Sequence, residues 1–415
     1  MQYNGKKFFV GREDSMKKRV LAMILTTALS ALTLAGCGGG GSSTTGGSAA
    51  PATSGGGTAA AGGSFKIGAI GPMTGDGAAY GLAVVNGSKL AVDEINAAGG
   101  VNGFMLEHKG EDDELNNEKS MNAYNTLKDW GMQILVGPTT SGCTIAVSDL
   151  AHEDSMFLLT PSGTAVDCVK YDNAFRVCFS DPAQGTESAK YMAEKGIGSK
   201  YAVIYDSSDP YSSGIYESFN AEAAAQGLEI VSAEAFTSDS NKDFSVQLQK
   251  AKEGGADLVF LPIYYNQASL ILKQAADMDY HPVFFGCDGM DGILTVENFD
   301  TSLTEGLILM TPFSADATDD LTVNFVKKYQ EQFGEVPNQF AADAYDGVYA
   351  IKAAIEKKNL TPDMSTEKIC KGLMEAFPEI TISGLTSSSL SWDASGEPNK
   401  EPRIFAIEGG KYIVQ

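Results

Sequence analysis

Short apolar runs alternate along most of the chain with segments of helical periodicity. The first run, "FKIGAI", begins at Phe65. The segment that follows it repeats small and apolar residues on one helical face, at Ala83, Gly87, Leu90, Ala91 and Ile95. The sequence "AAGG" at 97–100 then ends that predicted helix. This alternation predicts an α/β fold.

The same unit recurs through the rest of the chain. Further strands are predicted in "MQILVG", "MFLLT", "YAVIYD", "LEIVSAEAF", "DLVFLPI" and "PVFFG". Strands that are apolar throughout suit parallel sheets covered on both faces by helices. Ligands of such folds lie beyond the carboxyl ends of the strands. The loops that follow the strands are therefore the expected location of a binding site.

Five of these loops are unusual, and most of them are rich in glycine and hydroxyl residues. They are "GPMTGDGAAYG" at 71–81, "GPTTSG" at 137–142, "TPSGT" at 160–164, "YDSSDPYSSG" at 205–214 and "GCDG" at 286–289. Backbone N–H groups and hydroxyls at a helix N-terminus favour an anion, and two such loops on neighbouring strands can share one carboxylate. Serine and threonine also cap helices in most proteins, which is the simpler explanation for either loop alone. Asp288 on another strand makes the combination more specific.

The first 36 residues have the pattern of a secretory signal peptide. A basic segment at Met16–Val20 precedes the apolar run "LAMILTTALSALTL" and the small residues "AGC" that end at Cys37. The apolar run is shorter than the ~20 residues that a membrane-spanning helix needs. Residues 1–15 have no matching role, so Met16 is the predicted start.

Residues 37–63 are predicted to be a tether. From Gly38 to Gly63 the sequence carries no charged and no aromatic residue and shows no apolar period. A segment of this composition cannot bury enough apolar surface to order itself. A folded body from residue 64 onward would therefore move freely relative to Cys37.

Composition excludes one class of partner. The chain has 415 residues, of which 43% are hydrophobic, so it can bury a large core. Its net charge is −23, and residues 1–36 carry six positive and two negative side chains, so the mature chain would carry −27. Such an acidic surface repels phosphate backbones, and we predict no nucleic-acid partner.

Motifs of enzyme chemistry are absent from the sequence. The three histidines, His108, His152 and His281, stand neither in a metal-ligand spacing nor beside a candidate nucleophile. Tyr80 replaces the third glycine in the nearest match to a dinucleotide-binding motif. The acidic run at 111–113 is interpreted as a solvated face. We therefore predict a protein that is not an enzyme and that uses no metal or cofactor.

Taken in order, these segments resemble the branched-chain amino-acid binding proteins of ABC importers. The resemblance rests on "LAGC", the Gly/Ser tether and the motifs "FKIGAIGPMTGDGAAYG", "AVDEINAAGGVNG", "LVGPTTSG", "LLTPSGT", "FRVCFSDPAQG", "YDSSDPYSSG" and "FAADAYDGVYAI". It implies a two-lobed type I periplasmic-binding fold with three crossing segments. The implied first lobe is 64–179 plus 313–383, and the implied second lobe is 182–310 plus 390–415.

The resemblance also implies a location and partners. "LAGC" is similar to a bacterial lipobox, which implies cleavage before Cys37 and a diacylglycerol on its sulfur. The body would then be a monomer held at the outer face of the cell membrane. It would capture an amino acid between closing lobes and deliver it to the ABC permease subunits.

Residue roles are implied by the same resemblance. Ser141 matches the serine that receives the ligand carboxylate, together with the backbone of Ser162 and Gly163 and the hydroxyl of Thr164. Asp288 matches the acid that faces the ligand ammonium, although leucine-binding members carry a glutamate there. The implied neighbours of the ligand side chain are Tyr80, Tyr211, Tyr264 and Phe340. Tyr265 is the rival of Tyr264, and Phe340 is equally suited to a core position.

Two further hypotheses stay open at this point. The same fold could bind an amide, urea or aromatic acid, or it could serve as a sensory or enzymatic extracellular domain. Five cysteines follow Cys37, an odd number for an exported protein, so at least one should stay free. Because Cys143 and Cys168 follow the two carboxylate-binding loops on adjacent strands, we predict a disulfide between them.

Overall fold

The computed structural model of the protein describes residues 63–415. The predicted signal peptide, Cys37 and the tether as far as residue 62 lie outside the described residues. Over the described range, no helix combines the length and the apolar character needed to cross a membrane. Parallel strands alternate with helices through most of this range, which confirms the predicted α/β class.

Five parallel strands form the first sheet. They are β1 (Ser64–Gly71), β2 (Met105–Asp112), β3 (Ile134–Val136), β4 (Phe157–Thr160) and β5 (Ala174–Arg176). Their spatial order is β2-β1-β3-β4-β5. Strands β3 and β4 are buried along their whole length, as their uninterrupted apolar sequences predict. The loops after β1, β3 and β4 consequently open at one edge of the sheet.

Seven strands form the second sheet. They are β6 (Tyr201–Asp206), β7 (Ile230–Phe236), β8 (Leu258–Leu261), β9 (Val283–Gly286), β10 (Ile308–Met310), β13 (Ile404–Glu408) and β14 (Lys411–Val414). The order is β14-β13-β10-β9-β8-β6-β7, with β13 antiparallel to both of its neighbours. A separate antiparallel pair is formed by β11 (Thr381–Ile382) and β12 (Leu390–Ser391).

Ten helices connect and cover the sheets in the described range. They are α1 (Ala78–Ala97), α2 (Asn117–Trp130), α3 (Ser141–Glu153), α4 (Asp181–Lys195), α5 (Pro210–Gln226), α6 (Ser245–Gly254), α7 (Tyr265–Asp277), α8 (Asp320–Phe333), α9 (Gln339–Lys358) and α10 (Thr366–Ala376). Helix α9 packs closely along α1, where a Cβ atom at Gly87 would collide with the carbonyl of Ala341. The chain thus returns to the first sheet after β10.

Three segments carry the chain between the two sheets: one follows β5, one follows β10, and one precedes β13. The strands of the first sheet lie within 64–179, and those of the second lie within 182–310 and 390–415. The exact boundaries of the two lobes stay a prediction. We call the bodies built on the five-stranded and seven-stranded sheets the first and second lobe below.

Strand β2 and the acids after it differ from the sequence interpretation. Strand β2 was not predicted, because an edge strand with one solvated face has no continuous apolar run. It carries the acidic run to the carboxyl edge of the sheet. There Asp112 accepts hydrogen bonds from the backbone N–H of Met73 and the hydroxyl of Thr74, and Asp113 is fully buried. The interpretation of this run as a solvated face is therefore wrong for Asp113.

The predicted disulfide between Cys143 and Cys168 is not formed in the structure. Both residues are buried free thiols, as are the other three cysteines of the described range. The thiol of Cys143 is directed to Asp113, whereas the thiol of Cys168 lies 3.7 Å from the carbonyl oxygen of Ser141. Adjacent strands bring the two residues into one lobe, but their side chains point to different partners.

Candidate functional site

A small cavity lies between the two lobes, at the carboxyl edges of their sheets. Its lining side chains enclose about 240 Å³ of atom-free space, including the solvent at its opening, so the two lobes pack tightly here. Its lining consists of Tyr80, Thr139, Thr140, Ser141, Ser162, Tyr211, Tyr264, Asp288, Gly289 and Phe340. The structure therefore brings together seven of the nine residues predicted for ligand binding, while Gly163 and Thr164 lie behind this surface.

Hydroxyl groups and a helix N-terminus define the side of the cavity that belongs to the first lobe. Ser141 is the first residue of α3 and is 1% exposed. Its Oγ accepts hydrogen bonds from the backbone N–H groups of Thr164 and Ala165, each at 3.1 Å. Ser141 Oγ also lies 3.5 Å from Thr164 Oγ1, where either hydroxyl could be the donor, so the Ser141 hydroxyl makes no short donated hydrogen bond and can donate to an anion. The partial positive charge at the start of α3 favours the same anion.

Gly163 supports the loop that carries Thr164. Its N–H donates to Thr160 Oγ1 at 2.8 Å, so this N–H is engaged within the lobe instead of being directed into the cavity. A Cβ atom at Gly163 would lie 2.7 Å from Thr160 Oγ1 and 2.8 Å from Thr144 Oγ1. Glycine is thus needed here for close packing of the loop.

The fully buried Arg176 holds the same loop from behind, and sequence reasoning missed it. Its guanidinium donates to the carbonyl oxygens of Gly163 and Thr164 and forms an ion pair with Glu397 at 3.0 Å. Its own carbonyl accepts a hydrogen bond from Trp392 Nε1 at 2.7 Å. An arginine inside the apolar segment "AFRVCF" was the available sequence signal.

Asp288 provides the negative charge of the second lobe. It follows β9, is 3% exposed, and accepts a hydrogen bond from the Tyr211 hydroxyl at Oδ1, at 2.8 Å. Its backbone N–H donates to Gln184 Oε1 at 3.0 Å. Burial raises the pKa of the Asp288 carboxyl to about 7, and the hydrogen bond from the Tyr211 hydroxyl opposes that rise. A cation beside Asp288 would favour its ionised form.

Aromatic rings enclose the remaining side of the cavity. The ring of Tyr80 lies 4.6 Å from that of Phe340 and 5.4 Å from that of Tyr264, between centroids. The rings of Tyr211 and Tyr264 are stacked at 5.0 Å. Tyr265 lies outside the cavity lining, and its hydroxyl accepts a hydrogen bond from the N–H of Ala79. Of the two tyrosines that follow β8, the structure places Tyr264 at the cavity.

Direct contacts join the lobes around the cavity, so the structure is a closed form. The Tyr80 hydroxyl donates to the carbonyl of Gly289 and accepts from the N–H of Tyr265. Asn266 Nδ2 also donates to the carbonyl oxygen of Asp76 at 3.0 Å. A molecule in the cavity would be surrounded by both lobes at once.

The chemistry of this cavity is complementary to a zwitterion. The first lobe offers hydroxyl groups and a helix N-terminus, and the second lobe offers a carboxylate. In an α-amino acid the carboxylate and the ammonium are bonded to the same carbon atom. Such a molecule can therefore contact both sides of the cavity at once. Within residues 63–415 no three His, Cys, Asp or Glu side chains are grouped as a metal site requires.

Comparisons with known proteins agree with this geometry. Residues 64–410 match a family model described as periplasmic binding protein. A Leu/Ile/Val-binding protein of Rhizobium johnstonii is 31% identical, over 79% of this chain and 91% of its own length. A leucine-, isoleucine-, valine-, threonine- and alanine-binding protein of Pseudomonas aeruginosa is 28% identical, over 75% and 82%.

Solved structures extend the comparison. The branched-chain amino acid transporter substrate binding protein of Streptococcus pneumoniae, in complex with isoleucine, is 29% identical with a TM-score of 0.76. The match covers 85% of this chain and 99% of that one. A solute binding protein of R. palustris in complex with benzoate shares the fold, with a TM-score of 0.75 at 19% identity. The relatives are binding proteins of transporters, which confirms the prediction that this protein is not an enzyme.

Proposed function

Because the chain belongs to the periplasmic binding protein family, among the branched-chain amino-acid binding members, we propose that it captures an α-amino acid outside the cell for an ABC importer. One observation carries this proposal: Ser141 and the start of α3 face Asp288 across a closed cavity. The ligand carboxylate would bind Ser141, which Thr164 supports from behind through its backbone N–H, and the ligand ammonium would bind Asp288.

The names of the relatives suggest an aliphatic side chain as the first candidate. The Rhizobium johnstonii relative is named for leucine, isoleucine and valine, and the Streptococcus pneumoniae structure holds isoleucine. In this chain the side chain would lie among Tyr80, Tyr264 and Phe340. We therefore propose a branched-chain or other aliphatic amino acid as the ligand.

Closure of the lobes is the proposed signal to the transporter. A zwitterion that contacts both lobes binds the closed form better than the open one, so it shifts the equilibrium toward closure. Permease subunits that recognise the closed form would receive loaded protein preferentially. A dissociation constant in the micromolar range, roughly −8 kcal/mol, would suffice for capture and still permit release.

A thermal-shift screen of the amino acids, followed by calorimetry, tests the proposed function. L-leucine, L-isoleucine and L-valine are expected to raise the melting temperature of the protein, since a ligand that binds only the folded state stabilises it. Benzoate and urea serve as controls for the other ligand classes. If no amino acid changes the melting temperature or gives a calorimetric signal, the proposal fails.

We also propose that the protein is a monomeric lipoprotein anchored through Cys37, because a lipobox-like sequence ends there and the tether begins at once. Cys37→Ser is expected to release the protein from the membrane fraction, because the acyl chains on the sulfur would be lost. Fractionation of cells, followed by immunodetection in membrane and soluble fractions, measures the effect. Equal membrane association of the two proteins would contradict the anchor.

The affinity for an α-amino acid is expected to fall as the pH is lowered from about pH 8 to about pH 5. A protonated Asp288 cannot pair with an ammonium, and the pKa of its carboxyl in the closed cavity is about 7. Below that pH, binding must displace the proton, which weakens the affinity by up to about tenfold per pH unit. Calorimetry in buffers of different protonation enthalpy measures the affinity and the released proton together.

Asp288→Asn serves as the control for this pH dependence. It removes the titrating carboxyl while keeping the shape of the side chain, so the weaker affinity of the variant should stay constant over the same pH range. A wild-type affinity that is also constant would show that the Asp288 carboxyl does not pair with the ligand.

A further inference from the structure

The segment that carries Asp288 is bonded to the first lobe at three points. This segment, residues 288–291, follows β9 in the second lobe. The carbonyl oxygen of Asp288 accepts a hydrogen bond from Gln339 Nε2 at 2.7 Å, and the next carbonyl accepts one from the Tyr80 hydroxyl. The carboxylate of Asp291 accepts a hydrogen bond from the backbone N–H of Gln339 at 2.9 Å. Two of the three bonds therefore come from one residue of the first lobe.

The start of α9 explains why Gln339 reaches across the cleft. Gln339 is the first residue of α9, which packs along α1 in the first lobe. Asn338 caps this helix by accepting hydrogen bonds from the N–H groups of Phe340 and Ala341. The N–H of Gln339 is directed to the second lobe instead. The positive end of α9 is thus completed by a carboxylate of the other lobe, as the helix dipole favours.

Asp291 is held in the direction that this contact needs. The Tyr412 hydroxyl, from β14 of the second lobe, donates to Asp291 Oδ1 at 2.9 Å, while Oδ2 accepts the N–H of Gln339. Asp291 is 4% exposed and Gln339 is 2% exposed. A polar group that loses its partner in such surroundings costs more free energy than one on the surface. The contact between Gln339 and Asp291 therefore stabilises the closed form.

Gln339 does not itself face the ligand. The cavity lining includes its neighbour Phe340 but not Gln339. Asp288 instead contacts both partners, because its side chain lines the cavity and its carbonyl oxygen accepts the hydrogen bond of Gln339. An effect of Gln339 on binding must consequently act through the position of Asp288 and through the closed form.

We propose that Gln339 is a positioning residue of the binding site, which latches segment 288–291 to α9 when the lobes close around an amino acid. Asp291 is the acceptor that completes the latch. This inference rests on the proposed function and adds to it two residues that do not line the cavity. Because the latch is made between the lobes, it strengthens the binding of each amino acid by the same factor, whatever the side chain of the ligand.

Gln339→Leu is the decisive variant. It retains most of the side-chain volume but leaves the carbonyl oxygen of Asp288 without a donor in the closed form. The affinities for L-leucine, L-isoleucine and L-valine are expected to fall by one common factor, about 5- to 100-fold. The loss is expected to appear as faster dissociation, since the latch forms after the ligand has entered. Calorimetry measures the affinities, and stopped-flow displacement measures the dissociation rates.

The ligand-free protein separates a latch from a general role in folding. The contact is absent from the open form, so Gln339→Leu should leave the melting temperature of the ligand-free protein unchanged. Gln332→Leu is the matched control, because Gln332 is exposed on α8 and donates to Asp93 within the first lobe. This control should keep the wild-type affinity within about twofold.

Two variants of Asp291 test the other half of the latch. Asp291→Asn keeps an acceptor oxygen for the N–H of Gln339, whereas Asp291→Ala removes it. We therefore expect Asp291→Ala to weaken binding at least threefold more than Asp291→Asn does, again by the same factor for the three amino acids.

The possible outcomes separate this inference from the proposed function. If Gln339→Leu binds L-leucine as tightly as the wild-type protein, the latch is excluded and the proposed function stands. Unequal losses for the three amino acids would also overturn the latch, because they would indicate a direct contact with the ligand. A lower melting temperature of ligand-free Gln339→Leu with unchanged dissociation rates would assign the residue to folding instead. Failure of every amino acid to bind the wild-type protein would overturn both proposals.

Discussion

Replacing Asp288 with alanine is expected to weaken binding of an α-amino acid by about 30-fold to a few thousand-fold. The substitution removes the only acidic side chain that lines the small cavity. The ligand ammonium would then be buried without a counter-charge, which costs on the order of 2 to 5 kcal/mol. Calorimetry with the ligand found in the screen, at about pH 8 where Asp288 is ionised, measures the loss.

A matched aspartate on the same lobe controls for the loss of negative charge. Asp277 is exposed near the end of α7 and lies outside the cavity lining, so Asp277→Ala should leave the affinity within about twofold. Asp112 does not serve this purpose, because it holds the backbone of Met73 and the hydroxyl of Thr74. Equal affinity of the Asp288→Ala and wild-type proteins would exclude the proposed ammonium contact and the ligand assignment built on it.

Replacing Arg176 with methionine is expected to lower the free energy of unfolding by about 2 to 5 kcal/mol. Methionine retains much of the buried volume, but the carbonyls of Gly163 and Thr164 lose their donor. The ion pair with Glu397 is lost as well, although partial exposure of Glu397 limits that part of the effect. Urea unfolding followed by circular dichroism measures the change.

Two further arginine variants sharpen this experiment. Arg176→Lys keeps the positive charge but loses the planar guanidinium that donates to several oxygens. We therefore expect an intermediate loss in the free energy of unfolding. Arg403 is exposed and lies over the ring of Phe405, so Arg403→Met should cost less than about 1 kcal/mol. If the Arg176→Met and Arg403→Met proteins unfold at the same urea concentration, Arg176 does not anchor the loop.

The amino-acid sequence alone determined the fold class and most of the cavity lining. Uninterrupted apolar runs such as β4 are readable as buried parallel strands, because helices cover both faces of the sheet. The order of strands and loops along the chain then indicated which loops lie at the same edge of a sheet. The sequence motifs, through a family resemblance, placed Ser141 and Asp288 opposite one another. Strand β2 could not be predicted in this way, because an edge strand needs no continuous apolar run.

Tertiary structure alone decided how the side chains are directed, since direction depends on contacts between residues far apart in the chain. It left Cys143 and Cys168 unpaired because each thiol is directed to a different partner. It selected Tyr264 over its neighbour as a cavity residue, because successive residues at a helix start point to different sides. It also gave Arg176 its role, because the loop that its guanidinium holds and the segment that carries Glu397 meet only in the folded protein.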